Sequence, residues 1–298
     1  MYEFFNLNFL YKEVLKQKLL FFTINFFILL IFFFLAVNQP NIYSSQVIAV
    51  PKSSQNGSNS FPNELTGFAN IAGINISKEE VSKVDEGTSY MRSLDFFKLL
   101  QTYIDMKPNL LAAKSWDKIS GKIIYDEKLF ISEKNEWVRS FSYPKKKIPS
   151  DQEAHKKFLD HFKLVVDKNT GLMILNIEHL SPFVAQEWLS IIIKAINSKY
   201  RNDQKIKTTQ SIDFLTTQLK TTNLLEVREA LSRLIENETK NLMLVESEKE
   251  YFLKVLQSPI VPEEKIRPKR SQVMLLGAMI SILFSLMAVI LRASILKK

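Results

Sequence analysis

Three histidines, His155, His161 and His179, are the residues in this chain best suited by type to bind a metal or move a proton at neutral pH. Their spacing does not suit a metal. His155 and His161 are six apart, on different faces of any helix, and the chain has no cysteine to complete a zinc site. Glu226, Glu229, Glu236 and Glu238 alternate with Arg228, Arg233 and Lys240, the charge pattern of a solvated helix rather than of a catalytic carboxylate pair. No GxxxxGK[ST] phosphate loop occurs. The expectation is no enzyme, no metal and no cofactor. What remains is interaction chemistry. Gly277, Ser281 and Ser285 recur every four residues, a spacing of small side chains that lets two membrane helices approach closely, although Gly and Ser also recur in spans by chance. Pro259, Pro262 and Pro268 cannot sit inside a regular helix and make a stiff link, which orients the last apolar run or contacts a partner. Lys269 and Arg270 read as interface anchors, or as contacts to lipid or carrier phosphates. Lys145, Lys146 and Lys147, between Pro144 and Pro149, read as a solvated loop, with a polymer-binding patch as the alternative.

The elements that must hold these residues begin with two uncharged apolar runs, 19–37 and 273–291, each close to the roughly 20 residues that span a bilayer. The first is longer than a signal peptide's apolar core and ends FLAVNQP, without a small-x-small cleavage site, so an uncleaved anchor is expected. Lys12, Lys16 and Lys18 precede it and only Lys52 follows closely, which places the N-terminus in the cytoplasm. Two spans then put both termini inside and the region between them in the periplasm, at a bacterial inner membrane. The net charge of +9 is spread along the chain with no basic, aromatic face, and no nucleic-acid partner is expected. A two-span sensor would need an output domain after the second span, where only seven residues stand.

Ahead of the first run, Leu7, Leu10, Tyr11, Val14 and Leu15 share one helical face, for a tail (1–18) that lies on the inner surface or simply starts the span. A strand is expected from Tyr43 to Val50, then a polar loop, Ser53 to Ser60. Ser77-x-x-Glu80 and Ser150-x-x-Glu153 match the capping box. Met91 to Met106 has helical spacing. Residues 164–167 and 172–178 read as strands joined by Lys168-Asn169-Thr170-Gly171, with Met173, Leu175 and Ile177 facing a core. These make an α+β module over 38–180. Ser181-Pro182 opens a helix that should run to about Thr221, roughly 60 Å at 1.5 Å per residue. Asn223-x-x-Glu226 should cap a second helix that runs past Phe252 and ends before Ser258-Pro259. The whole is a projecting helical hairpin over 181–257, a proline-rich return over 258–272, and a tail over 292–298.

Several stretches resemble the chain-length determinant family, the Wzz-type polysaccharide co-polymerases. They are VDKNTGLMILNIEHLSPFVAQEWL (Val166 to Leu189), the hairpin from Ser211 to Leu256, and SPIVPEEKIRPKRSQVMLLG (Ser258 to Gly277). Asn41-Ile42-Tyr43 and Phe68 to Ile74 add weaker matches, whereas Lys265 stands where another proline is often found and 107–149 has no close match. The resemblance implies a non-catalytic, ring-like homo-oligomer that sets the modal length of O-antigen, or of a similar polymer, grown on a lipid-diphosphate carrier by a separate polymerase. A co-polymerase for capsule or exopolysaccharide export is the alternative. The fused kinase domain of some relatives is not expected.

Overall fold

The computed structural model describes residues 14–52, 76–167 and 169–296, with the side chains of 76–82 and 295–296 left aside. Along the chain come α1 (Lys18–Asn38), β1 (Ile42–Pro51), α2 (Ile76–Met91), α3 (Leu94–Gln101) and α4 (Lys107–Leu111). Two short ribbons follow, β2 (Ala113–Trp116) with β3 (Ile123–Tyr125), and β4 (Phe130–Ile131) with β5 (Glu136–Trp137). Then come α5 (Asp151–His161), β6 (Phe162–Val166), β7 (Met173–His179), α6 (Pro182–Thr221) and α7 (Leu225–Ser247). The chain closes with β8 (Leu253–Gln257), β9 (Lys265–Arg267) and α8 (Arg270–Leu296). The molecule divides into a unit of Met1–Tyr43 with Glu264–Lys298, and a unit of Ser44–Glu263.

The first unit is built on α1 and α8, both long and apolar enough to cross a membrane. Their outward faces carry Phe22, Phe26, Phe27 and Phe34, and Leu275, Leu283 and Phe284, each more than half exposed. Leaving one such side chain in water instead of burying it costs about 1.5–3 kcal/mol. A belt of this kind is stable only in hydrocarbon, so the chain is a two-span membrane protein. The two helices run antiparallel, with Phe32 near the end of α1 over Gly277 near the start of α8. β9 pairs antiparallel with the first residues of β1, Ile42 with Arg267 and Tyr43 with Lys265.

The second unit is α+β. Its strands lie in the order β6-β7-β1-β8. The β6–β7 hairpin has the register Leu164 to Leu175, which turns Leu164, Met173, Leu175 and Ile177 to the core. Against that face pack Phe96, Phe97 and Leu100 of α3, Ala154 and Phe158 of α5, and Ala185, Trp188, Leu189, Ile192 and Ile196 of α6. Phe158 stacks on Phe162 at 5.2 Å and meets Phe97 at 5.4 Å. A smaller cluster of Ala112, Phe130 and Trp137 holds the ribbons, so 107–149 has a structure of its own.

Local differences from the sequence reading each have a cause. The segment 91–106 is broken at Arg92-Ser93, because the Ser93 hydroxyl caps α3 at the Phe96 N–H (3.1 Å). Ser150 caps α5 at the Glu153 N–H (3.2 Å), but the reciprocal bond is missing because Arg139 takes the Glu153 carboxylate. Among the described residues of the β6–β7 turn, Gly171 alone has positive φ (69°), while Asn169 donates its N–H to Asp167. A three-residue turn puts Leu224, not Asn223, at the start of α7, with no side-chain cap. α7 stops at Ser247, and Leu253–Gln257 is a strand, so the hairpin spans 182–247 rather than 181–257. The return over 258–272 likewise contains β9 and the first turn of α8. Residues 7–13, 53–60, 68–74 and Lys168 lie outside the described residues, as do the side chains of Ser77 and Glu80.

Candidate functional site

The chemistry expected of this chain is contact chemistry, and the structure sorts the residues named for it into three places. Gly277, Ser281 and Ser285 lie with Val289 on the buried stripe of α8. A Cβ on Gly277 would stand 2.6 Å from the Phe32 ring, so only glycine lets α1 come this near. The two serine hydroxyls donate to carbonyls of their own helix, Ser281 to Ala278 and Ser285 to Ile282, both at 2.9 Å. They therefore fill a close seam without leaving a polar group unsatisfied in hydrocarbon.

The prolines are spread over the return segment. Pro259 is half-buried and its carbonyl accepts from Gln186 (3.5 Å), while the next carbonyl, of Ile260, accepts from the Ser45 hydroxyl (2.7 Å). Pro262 is also half-buried, and Pro268 is buried directly after β9. Lys269 and Arg270 are exposed at the start of α8.

The third place is the root of the helical hairpin, and two of its residues gave no signal in the sequence. Asn197 is 4 % exposed on α6. Its Oδ1 accepts from the N–H groups of Phe252 (2.7 Å) and Leu253 (2.8 Å), and its Nδ2 donates to the Leu253 carbonyl (3.1 Å). One amide thus stitches the incoming strand β8 to α6. Phe252 is held from two more sides: Tyr200 stacks on it at 4.2 Å, and Gly87 is so close that a Cβ there would lie 2.1 Å from the ring. Burial pushes the Tyr200 hydroxyl up to about 12, with Glu86 and Asp203 adding to it.

His179 forms the other half of the root. It is 1 % exposed, between the rings of His161 (5.9 Å) and Trp188 (5.1 Å). Its Nδ1 accepts from the Ser181 N–H (3.0 Å), which assigns the proton to Nε2, facing the Asn109 carbonyl at 3.4 Å. Burial, reinforced by nearby His161, pushes this imidazole down to about 4. A neutral ring thereby fixes Ser181, whose own hydroxyl accepts from the Val184 N–H (3.5 Å) and starts α6. His155 instead meets the Arg92 carbonyl (2.9 Å), and His161 the Glu178 carbonyl (2.6 Å). Among the described residues no group of three or more His, Cys, Asp or Glu could hold a metal ion.

Beyond the root, α6 and α7 pair through Lys205 and Glu246 (2.6 Å), and α7 carries the exposed Lys240–Glu236 pair (2.6 Å). Shallow cavities of about 330 and 370 Å³ lie along α6, lined by Arg201, Asn202, Lys205, Ile206, Thr209 and Gln210, with Val245 and Glu246 of α7.

Comparison with known proteins finds no matching family model and no curated protein. Among solved structures the chain is similar to a full-length bacterial polysaccharide co-polymerase, with a TM-score of 0.44 and 11 % identity over 98 % of this chain and 99 % of that one. A fragment of WzzB, a polysaccharide co-polymerase from Salmonella Typhimurium, gives a TM-score of 0.34 and 11 % identity over 76 % of this chain and 100 % of that one. Likeness at this level assigns no role to any residue.

Proposed function

We propose that this chain regulates the length of a surface polysaccharide, as a non-catalytic scaffold in the bacterial inner membrane with its α+β unit in the periplasm. The observation that carries the reading is architectural. Two membrane helices flank in sequence an α+β unit to which a 40-residue helix and a returning 23-residue helix belong, and the described core of that unit is a packed apolar cluster. The family resemblance of the segments at Val166–Leu189, Ser211–Leu256 and Ser258–Gly277 supplies the task. In this reading the chain assembles with copies of itself into a ring and works beside a separate polymerase on a lipid-diphosphate-linked polymer, with O-antigen of lipopolysaccharide as the first candidate. The excess of lysines before α1 supports cytoplasmic termini.

The test is a gel ladder of surface polysaccharide from cells with and without the gene. Loss of a preferred length while polymer is still made is the expected result. Loss of all surface polymer would favour the capsule or exopolysaccharide reading, and an unchanged ladder in a strain without a second copy would refute length control.

A further inference from the structure

The loop from Phe141 to Ile148 displays apolar and basic side chains in a way that simple solvation does not explain. Tyr143 is 97 % exposed, Ile148 62 % and Phe141 57 %. Lys145 and Lys146 are exposed and make no ion pair among the described residues, whereas Lys147 is held by Glu136 (2.9 Å). A loop whose only task was to be soluble would bury or lack these rings, and would not be fastened.

This one is fastened from below. Arg139, its side chain only 10 % exposed, donates to both oxygens of Glu153. The same guanidinium donates to the carbonyls of Lys146 (2.7 Å) and Lys147 (3.0 Å). The Lys145 N–H closes a turn on the Ser142 carbonyl (2.9 Å), and buried Pro149 leads into the Ser150 cap of α5. A charge-assisted fork thus spends its donors on the loop's backbone and leaves the rings and two ammonium groups outside. Ordering such a segment in advance removes the conformational cost that binding would otherwise carry.

We propose that the Phe141–Ile148 loop is a binding site for an acidic saccharide, one bearing carboxylate or phosphate groups. Phe141 and Tyr143 offer aromatic faces for the C–H faces of sugar rings, and Lys145 and Lys146 pair with the acid groups. The inference rests on the chain-length reading for its ligand class. Magnitudes favour a polymer over an anionic bilayer surface. Two exposed ammonium groups gain only about 1 kcal/mol each at such a surface. A repeating polymer presents the same weak ligand many times on one chain, so contacts that are individually weak add up and can still let go as the polymer grows.

The test uses the full-length chain in nanodiscs of neutral lipid. The probes are polygalacturonate oligomers as the acidic saccharide, dextran oligomers as the neutral one, and phosphatidylglycerol vesicles. Polygalacturonate should bind at least about ten-fold more tightly than dextran, and the triple variant Tyr143→Ala/Lys145→Gln/Lys146→Gln should lose about ten-fold in affinity. Tyr143→Ala alone should lose about three-fold, because the aromatic face contributes beyond charge. All three side chains are exposed, so an unchanged thermal melt is expected and separates lost binding from lost fold. Binding of polygalacturonate that is unaffected by Tyr143→Ala would overturn the site in favour of a bare charge patch. Absence of polygalacturonate binding, with vesicle binding that the triple variant abolishes, would overturn it in favour of a bilayer contact. An altered gel ladder on gene loss with no saccharide binding would sink this inference alone. Loop-dependent binding with an unchanged ladder would sink the chain-length reading and leave the site standing.

Discussion

Two long antiparallel helix pairs stand among the described residues, and they are made in opposite ways. In the α1–α8 pair the outside is phenylalanine and leucine, and the inside seam is Gly277, Ser281 and Ser285. In the α6–α7 pair the outside mixes charged and polar side chains with exposed apolar ones, and the two helices meet around Val245 and the Lys205–Glu246 contact. The difference comes from solvent. In lipid, burying leucine against leucine gains nothing over leaving it in hydrocarbon, so close backbone approach is what holds helices together. In water, apolar burial is the driving force, and α6 spends it almost entirely on its first half. Trp188, Leu189, Ile192 and Ile196 are fully buried there, whereas beyond Asn197 only Thr208 is buried. The far half of the hairpin keeps Ile206, Phe214, Leu224, Leu225 and Met243 more than half exposed.

If the root carries the hairpin, breaking the root should cost most. Asn197→Ala leaves two N–H groups and a carbonyl of Phe252 and Leu253 unpaired in a dry site. The expected loss is about 4 kcal/mol, given 1–3 kcal/mol for each orphaned buried group. A denaturant titration of the full chain followed by tryptophan fluorescence would read it, and a loss under about 1 kcal/mol would show that the strand is held by its ladder alone.

Acid should then separate the two pairs. The His179 imidazole stays neutral in the fold down to about pH 4, while in the unfolded chain it takes a proton near 6.5. Between those values the unfolded state binds the extra proton, so stability falls as pH falls, by up to about 3 kcal/mol. The α1–α8 pair has no titrating group on its described seam and should not respond. Glu153 is held low chiefly by its hydrogen bonds from Arg139, so its contribution is lost in a separate, more acidic window, as pH falls below the ordinary carboxylate value. Thermal melts across pH 4 to 7 on wild type and His179→Gln would isolate the histidine, whose variant should lose the slope above the carboxylate range.

For the membrane pair, Gly277→Leu forces the Phe32 ring away and should weaken α1–α8 packing by about 2 kcal/mol, in the range for overpacked sites. Disulfide crosslinking of engineered cysteines on α1 and α8 would report it, and an unchanged crosslinking rate and polysaccharide ladder would mean the stripe is idle. The smallest effect belongs to the water-facing pair: Lys205→Ala removes an exposed ion pair and should cost about 0.5 kcal/mol or less.

Several elements of this protein were legible because each signal was local. Uncharged runs of bilayer length, the Ser181-Pro182 start, and the alternation of Met173, Leu175 and Ile177 each carry their reason within a few residues. The contact roles were legible in part: the spacing of Gly277, Ser281 and Ser285 announces a seam but does not say that Phe32 of the same chain fills it. Residues 253–257 read as helix by their spacing and became a strand because β1 offered a free edge and Asn197 the matching hydrogen bonds. A lone asparagine in a helix, a glycine at 87 and an arginine at 139 give no sign in one dimension of the partners they meet. Those partners lie 55, 165 and 14 residues away, at Phe252 for the first two and Glu153 for the third. Sequence by itself determined which parts enter lipid and which segments are long helices, since both depend on composition within a window. Only the tertiary structure decided which polar groups are buried and paired, because that depends on which distant surfaces exclude water together.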